Sequence, residues 1–179
     1  FDEQLPGDTA AAGAEGGGLR PVILFTLPAG ERVMPSLGAA ITPMNDDTLV
    51  RKVIRPMLAV LRDLAGAGVA HQAIRPDNLF YRDGLATEVM LGEGYSTPPG
   101  YSQPVLFETI QGGMAHPAGR GWGSYADDLY ALGVTLLLLL IGRNPVADLD
   151  DNALIAAKIN QGSFAAISGQ ERISAAIGE

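Results

Sequence analysis

An apolar run over residues 134–141, interrupted only by Thr135, constrains the fold of this chain more than any other feature. It includes five consecutive leucines, residues 136–140. A helix that crosses a membrane needs about 20 apolar residues, and this run is far shorter. A helix that is apolar on every side must instead be surrounded by protein. The run therefore predicts a buried core helix that Asp127 and Asp128 open and that ends at about Ile141.

A second helix is predicted over residues 45–65. Apolar positions recur there at helical spacing, and Asn45-Asp46-Asp47-Thr48 supplies capping and acidic residues at its start. Pro56 falls inside this pattern and should bend or divide the helix, because proline has no backbone N–H to donate. A shorter helix, also opened by acidic residues, is predicted over residues 150–160.

The remaining segments predict short strands and loops. Residues 79–81 and 88–91 have the composition of two strands joined by a tight turn, which indicates a small hairpin. Residues 22–27 form a further strand candidate that runs into a turn. The glycine- and alanine-rich residues 7–18 indicate a flexible loop. Residues 92–123 are rich in glycine and proline without sustained periodicity, which predicts a long loop of the kind often tied to function.

Charge and cysteine content exclude several classes of function. The chain has 12 Lys+Arg against 20 Asp+Glu and a net charge of -8, so it lacks the basic surface that nucleic-acid binding requires. It has no cysteine, which excludes disulfides and thiolate metal sites and fits a reducing compartment. We therefore expect a cytoplasmic protein that binds neither nucleic acid nor a membrane. The first residues, Phe1-Asp2-Glu3, have no methionine and no signal-peptide pattern, so we expect a piece of a longer protein.

Two motifs resemble signatures of the eukaryotic-type protein kinases. Residues 71–79 read His-Gln-Ala-Ile-Arg-Pro-Asp-Asn-Leu, which resembles the kinase catalytic loop, H-R-D-L-K-P-x-N, with His71, Pro76 and Asn78 at matching places. Downstream, residues 128–134 resemble the family's D-x-W-S-x-G-V, and residues 142–145 resemble the G-x-x-P that follows it. The order and spacing of the motifs also match.

The resemblance implies a fold and a division of the chain. It covers residues 22–160 and implies a mainly α fold with small β elements, namely a kinase-like large lobe with a truncated small-lobe remnant. We expect the small-lobe remnant, a hairpin with a flexible Gly/Ala-rich loop, at residues 1–30. The helical large lobe would occupy residues 31–179 and be truncated at its C-terminus. Any sheet edge left by the curtailed small lobe should be covered by another chain or domain.

The departures from the family pattern fall on the catalytic chemistry. Ala73 stands where the family has the Asp that accepts the substrate proton, and a methyl group cannot do this. Gly92-Glu93-Gly94 stands where the family has Asp-Phe-Gly, so Gly92 replaces the Asp that holds magnesium. Arg75 replaces the catalytic-loop Lys and keeps only its charge. The resemblance thus implies a pseudokinase that needs no cofactor and binds neither ATP nor magnesium.

Other family elements are also missing. The chain has only two lysines, Lys52 and Lys158, and neither lies on a strand that could hold the nucleotide phosphates. Residues 115–118 resemble Ala-Pro-Glu with Ala118 in place of the Glu, and beyond Gly162 only Arg172 is available as the distal arginine with which that Glu would pair.

Ordinary structural roles account for the polar residues that remain in the motifs. We expect His71 to pack and hydrogen-bond, Asn78 to stabilise a turn rather than bind metal, and His116 to be exposed or to cap a helix. Asp83, in the hairpin turn, and Glu93, whose side chain we expect to face the core, are poor substitutes for the lost carboxylates. Asp128 should be a structural anchor, because the Asp at that place in the family accepts hydrogen bonds from the catalytic-loop backbone.

The sequence therefore predicts a non-catalytic pseudokinase that serves as a protein-interaction or regulatory domain, with a protein partner or self-association. One alternative is an atypical serine/threonine kinase that binds ATP with the help of an upstream small lobe. Another is a small-molecule phosphotransferase, although residues 128–133 favour the protein-kinase pattern.

Overall fold

The computed structural model describes residues 28–94, 103–116 and 123–169. Within these ranges the chain is mostly helical with one two-stranded sheet, as the sequence predicts. The predicted strand at residues 22–27, the loop at residues 7–18 and the chain after residue 169 lie outside them. In chain order, the elements are α1 (Asp46–Leu49), a π-helical turn (Val50–Ile54), α2 (Arg55–Gly66), a 3-10 turn (Pro76–Asn78), β1 (Leu79–Tyr81), β2 (Val89–Leu91), a 3-10 turn (Val105–Phe107), α3 (Ile110–Met114), α4 (Tyr125–Ile141), α5 (Asp151–Gln161) and α6 (Ser163–Ser168).

Helix α4 lies at the centre of the core. Residues 137–139 of its leucine run are buried, and the two flanking leucines are partly buried against the same cluster. Helices α1, α2 and α6 all contact α4. The prediction of an interior helix is therefore confirmed. No helix in the described part of the chain is long and apolar enough to cross a bilayer.

The start of α4 differs from the prediction by two residues. The helix begins at Tyr125 rather than Asp127, because Ser124 is its N-cap. The Asp127 carboxylate accepts hydrogen bonds from the Ser124 N–H at 2.8 Å and from the Ser124 hydroxyl, while the Asp127 N–H donates back to Ser124 Oγ. This reciprocal pair is a capping box with Asp in place of the usual Glu.

The last turn of α4 is covered by an extended segment from earlier in the chain. The Ile41 N–H donates to the Gly142 carbonyl at 2.7 Å, and the Met44 N–H donates to the Leu139 carbonyl at 2.9 Å. Gly142 ends the helix with φ 80°, and a Cβ there would lie 2.6 Å from the Ile41 carbonyl oxygen. Glycine is therefore required at this position both by its backbone conformation and by the closeness of the covering segment.

The predicted helix over residues 45–65 is divided ahead of its proline. A π-helical turn, Val50–Ile54, separates α1 from α2, and the Arg55 N–H donates to the Val50 carbonyl, five residues back. Pro56 has no N–H with which to continue the α-helical pattern, and a π turn is one way in which a helix absorbs this irregularity.

The predicted hairpin is confirmed, and a third segment adjoins it. Strands β1 and β2 pair antiparallel with Phe80 opposite Met90. On the other side of β1, the Val33 N–H donates to the Leu79 carbonyl at 2.8 Å, and the Tyr81 N–H donates to the Glu31 carbonyl at 2.9 Å. The chain just after residue 30 therefore covers this edge of the hairpin.

The long loop predicted over residues 92–123 contains two short helical elements in its described middle part. A 3-10 turn, Val105–Phe107, is buried, and α3 follows it with Thr109 as N-cap. Both elements are too short to produce a periodic pattern in the sequence.

Candidate functional site

The site residues named from the sequence come together where residues 71–78 pass between the start of α4 and residues 92–94. The contacts in this region are mainly hydrogen bonds from side chains to backbone atoms. Such contacts fix the path of irregular backbone, which cannot satisfy its own polar groups.

Asp128 joins α4 to the start of this segment. It is 1% exposed, and its carboxylate accepts hydrogen bonds from the His71 N–H at 2.7 Å and from the Gln72 N–H at 2.8 Å. Burial raises the pKa of Asp128, and the two hydrogen bonds oppose this shift. Gln72 has φ 58°, a left-handed conformation that is strained for a residue with a side chain. Asp128 therefore holds two successive N–H groups at a strained turn.

His71 packs against the backbone of the 92–94 segment. Its Nε2 lies 3.1 Å from the Gly92 carbonyl oxygen, and its Nδ1 is buried without a hydrogen-bond partner. Burial lowers the pKa of His71, although the Gly92 carbonyl and nearby acids raise it in part. A neutral ring that donates from Nε2 fits this environment, because a second proton on Nδ1 would be buried and unpaired.

Asn78 links the two segments through its amide group. Its Nδ2 donates to the Ala73 carbonyl and to the Glu93 carbonyl, both at 2.9 Å. The backbone carbonyl of Asn78 accepts from the Gly92 N–H at 2.8 Å. Both hydrogens of the Asn78 amide are thus used within the protein. The Asn78 side chain therefore bridges the backbone at Ala73 and the backbone at Glu93.

Gly92 lies too close to Asn78, and Gly94 too close to His71, to carry a side chain. A Cβ on Gly92 would lie 2.2 Å from Asn78 Oδ1, and a Cβ on Gly94 would lie 2.7 Å from His71 Cε1. Contacts shorter than about 3 Å do not occur for real Cβ atoms. Any side chain at Gly92 would therefore have to displace Asn78.

The other motif residues have separate surroundings. Ala73 is 6% exposed, and Arg75 Nε lies 3.0 Å from Asp77 Oδ1. Glu93 is exposed, so the expectation that its side chain faces the core is wrong. That expectation followed the family pattern, whereas here it is the backbone carbonyl of Glu93 that meets Asn78, by accepting a hydrogen bond from Asn78 Nδ2. The Asp83 carboxylate accepts from the Thr87 N–H and hydroxyl in the hairpin turn.

The two lysines bind carbonyl oxygens. Lys52 Nζ donates to the Ala86 carbonyl at 2.7 Å. Lys158 is 1% exposed and donates to the carbonyls of Val105, Leu106 and Glu108 at 2.7, 3.1 and 2.8 Å. Its Nζ also lies 5.2 Å from the centre of the Tyr130 ring. Burial lowers the pKa of Lys158 to about 8, while Glu108 raises it.

The burial of Lys158 was not predicted. One signal in the sequence points to it, since Lys158 lies four residues after Leu154 and therefore on the same face of α5. His116 is exposed, while Ala118 and Arg172 lie outside the described residues. Among the residues that the structure describes, no three His, Asp or Glu side chains are grouped so that they could hold a metal ion.

No protein-family model matches the chain. The chain is 27% identical to serine/threonine-protein kinase C of Synechocystis sp. over 106 residues, which are 55% of this chain and 20% of that kinase. It is 25% identical to serine/threonine-protein kinase D of the same organism over 59% of this chain and 22% of that kinase. It is 28% identical to serine/threonine-protein kinase PknA of Nostoc sp. over 55% of this chain and 19% of that kinase.

These matches are distant and partial, since the chain spans about a fifth of the length of the curated relatives it matches. They agree with the motifs at His71 and Asp128 and with the mostly helical architecture. Together, these observations point to a region of this chain that is similar to cyanobacterial serine/threonine-protein kinases.

Proposed function

We propose that this chain is a non-catalytic, kinase-like domain that acts by binding another protein. The observation that carries the proposal is the contact between Gly92 and Asn78. The resemblance places Gly92 where a kinase has its magnesium-binding Asp, and a Cβ at this position would lie 2.2 Å from Asn78 Oδ1. The space for an Asp side chain is thus taken by the Asn78 amide.

The surroundings of Ala73 support the same proposal. The resemblance places Ala73 where a kinase has its proton-accepting Asp, and its methyl group is nearly buried. A methyl group cannot orient or deprotonate a hydroxyl, and the loss of a general base costs a factor of about 10² to 10⁴ in rate. Neither lysine substitutes for the phosphate-binding Lys, because Lys52 donates to Ala86 and Lys158 is buried beside Val105.

Side chains of the chain itself also hold the backbone of this region. Asp128 fixes the turn at Gln72, and Asn78 fixes residues 92–94. A scaffold of this kind can persist after the chemistry is lost and can present its surface to a partner. Function here rests on the site, since a fold alone does not determine activity.

The test is a calorimetric titration of the protein with Mg-ATP, together with a phosphotransfer assay on a generic protein substrate. We expect no saturable heat and no transfer above the level of a no-protein blank. Sedimentation velocity at rising protein concentration would show in parallel whether the partner is a second copy of the chain. A micromolar dissociation constant for Mg-ATP would overturn the proposal.

A second candidate is an atypical serine/threonine kinase that is completed by an upstream small lobe. The similarity to the three relatives favours it, because each is a serine/threonine-protein kinase of which this chain matches only a part. The same titration on a protein that includes the upstream region would separate the two candidates. Mg-ATP binding that appears only with that region would support the kinase, while its absence from both proteins would support the non-catalytic domain.

A further inference from the structure

The turn between β1 and β2 contains a residue pair with covalent chemistry of its own. Asp83-Gly84 is the only Asp-Gly pair in the chain, and no Asn-Gly pair is present. At such a pair the backbone nitrogen of the glycine can attack the carboxyl carbon of the aspartate side chain and close a five-membered succinimide ring. Glycine favours this reaction because it has no Cβ to obstruct the ring and its backbone rotates freely.

The attacking nitrogen of Gly84 is unobstructed. Gly84 is exposed, and a Cβ there would meet nothing within 4 Å. No hydrogen bond within the described part of the chain involves the Gly84 N–H. The glycine side of the reaction is therefore open in the folded protein.

The carboxylate of Asp83 is held by the other end of the turn. Its Oδ2 accepts from the Thr87 hydroxyl at 2.8 Å, and its Oδ1 accepts from the N–H groups of Leu85 and Thr87, both at 3.2 Å. These hydrogen bonds, that of the Thr87 hydroxyl foremost, lower the pKa of Asp83. Because the carboxyl group must be protonated before it can lose an oxygen as water, Thr87 holds back the aspartate side of the reaction.

We propose that Asp83–Gly84 is a modification site, at which the chain isomerises to isoaspartate when the Thr87 contacts open. The Gly84 nitrogen forms a bond to Asp83 Cγ and the Cγ–OH bond breaks, so that the hydroxyl leaves as water with the proton of the Gly84 N–H. A second water then opens the ring. Addition at Cγ restores aspartate, whereas addition at the backbone carbonyl carbon gives isoaspartate, whose main chain runs through Cβ and Cγ. Water is the only co-reactant, and the mass of the chain is unchanged.

The isomerisation would affect more than the turn. It lengthens the main chain by one methylene group in a hairpin whose register depends on its turn. The Ala86 carbonyl, in the same turn, accepts from Lys52 Nζ at 2.7 Å, and β2 leads directly into Gly92. Isoaspartate at position 83 should therefore loosen the hairpin from the helical part of the fold.

The experiment compares folded wild type with Thr87→Val, which removes the hydroxyl and keeps the branched shape. Thr42→Val, the same change at an exposed threonine outside the turn, is the matched control. Each protein is incubated at neutral pH, and isoaspartate is measured by enzymatic methylation and by resistance of the Arg82–Asp83 bond to endoproteinase Asp-N. We expect Thr87→Val to accumulate isoaspartate about fivefold faster than the other two, the factor that one ordinary hydrogen bond represents. In denaturing urea the three proteins should react at one common rate, faster than folded wild type.

Gly84→Ala identifies the site without relying on Thr87. Alanine fits there without a clash, and its methyl group should remove most of the isoaspartate that wild type forms in urea. Equal rates for folded Thr87→Val and folded wild type would overturn the inference. A folded wild type that reacts as fast as the unfolded chain, or a signal that persists in Gly84→Ala, would do the same. No readout uses nucleotide or a partner, so each of these results leaves the proposed function standing.

Discussion

Gly92 lies so close to Asn78 that position 92 cannot hold a side chain. A Cβ there would lie 2.2 Å from Asn78 Oδ1 and 2.9 Å from the Asn78 carbonyl oxygen. The Asn78 amide cannot move aside without losing its hydrogen bonds to Ala73 and Glu93. The atoms that block position 92 belong to the Asn78 backbone and to a side-chain amide that is held by two hydrogen bonds. Restoring an Asp at position 92 would therefore need a rearrangement of the whole site.

Gly92→Ala should therefore destabilise the protein by roughly 1 to 3 kcal/mol, the usual cost of overpacking a tight interior. Gly133→Ala is the matched control, since Gly133 lies in α4 with nothing within 4 Å of its Cβ position. It should stabilise by about 0.5 to 1 kcal/mol. Urea unfolding of the two variants and wild type measures both effects. A Gly92→Ala variant as stable as Gly133→Ala would show that the surroundings of position 92 rearrange easily. It would weaken the argument that this position has no room for a metal-binding side chain.

Asp128→Ala should destabilise the protein more than Asp128→Asn or Asp127→Ala does. It would leave the N–H groups of His71 and Gln72 without an acceptor, at roughly 1 to 3 kcal/mol for an unsatisfied buried group. Asp128→Asn should cost less, because its amide oxygen can still accept one of the two hydrogen bonds. Asp127→Ala removes only part of the capping box and should cost about 0.5 to 2 kcal/mol. Guanidinium denaturation of the three variants gives their order, and equal midpoints for all of them would show that Asp128 is no anchor.

The helices with a strong pattern could be predicted from the sequence. The leucine run specifies an interior helix because no surface position tolerates it, and the hairpin follows from two strand-like runs around a tight turn. The start of α4 at Tyr125 was missed because the prediction used Asp127 and Asp128 as the opening of the helix and gave Ser124 no role. The π-helical turn before Pro56 was predicted only as a bend or a division of the helix, because a proline shows that a hydrogen bond is lost but not how the helix adjusts.

The candidate site was partly predictable for a similar reason. The resemblance to the kinase family implied that Asp128 would accept hydrogen bonds from the segment at His71, and the structure contains both hydrogen bonds. The exposure of Glu93 and the burial of Lys158 depend on contacts between distant segments. Local patterns carry little information about such contacts. The 3-10 turn that binds Lys158 was itself unpredicted.

Ala86→Gly should stabilise the hairpin. Ala86 has φ 53°, a left-handed conformation that costs a residue with a side chain roughly 1 to 2 kcal/mol. The added backbone entropy of the unfolded state offsets about 0.5 to 1 kcal/mol of the relief, so we expect a net gain of up to about 1.5 kcal/mol. Ala156→Gly, on the exposed face of α5, is the matched control and should lose about 1 kcal/mol. Thermal unfolding that moves both variants in the same direction would contradict this prediction.

The last prediction concerns pH and the buried ammonium of Lys158. Its pKa falls from 10.5 to about 8 in the folded state, chiefly through burial. From pH 8 upward the folded protein releases this proton while the unfolded chain keeps it. The unfolded state then binds more protons, so the free energy of unfolding contributed by Lys158 rises with pH, by at most about 1.4 kcal/mol per unit.

Lys158→Met removes this titration and leaves the carbonyls of Val105, Leu106 and Glu108 without their donor. The variant should be less stable than wild type, and the difference should grow from about pH 8 to just below pH 10, where tyrosines begin to ionise. Leu154→Ala is the control, because it removes a buried side chain one turn earlier on α5 without removing a titrating group. Its deficit should stay constant over the same range. Urea unfolding at closely spaced pH values provides the measurement, and a Lys158→Met deficit as constant as that of Leu154→Ala would mean that Lys158 keeps its proton throughout.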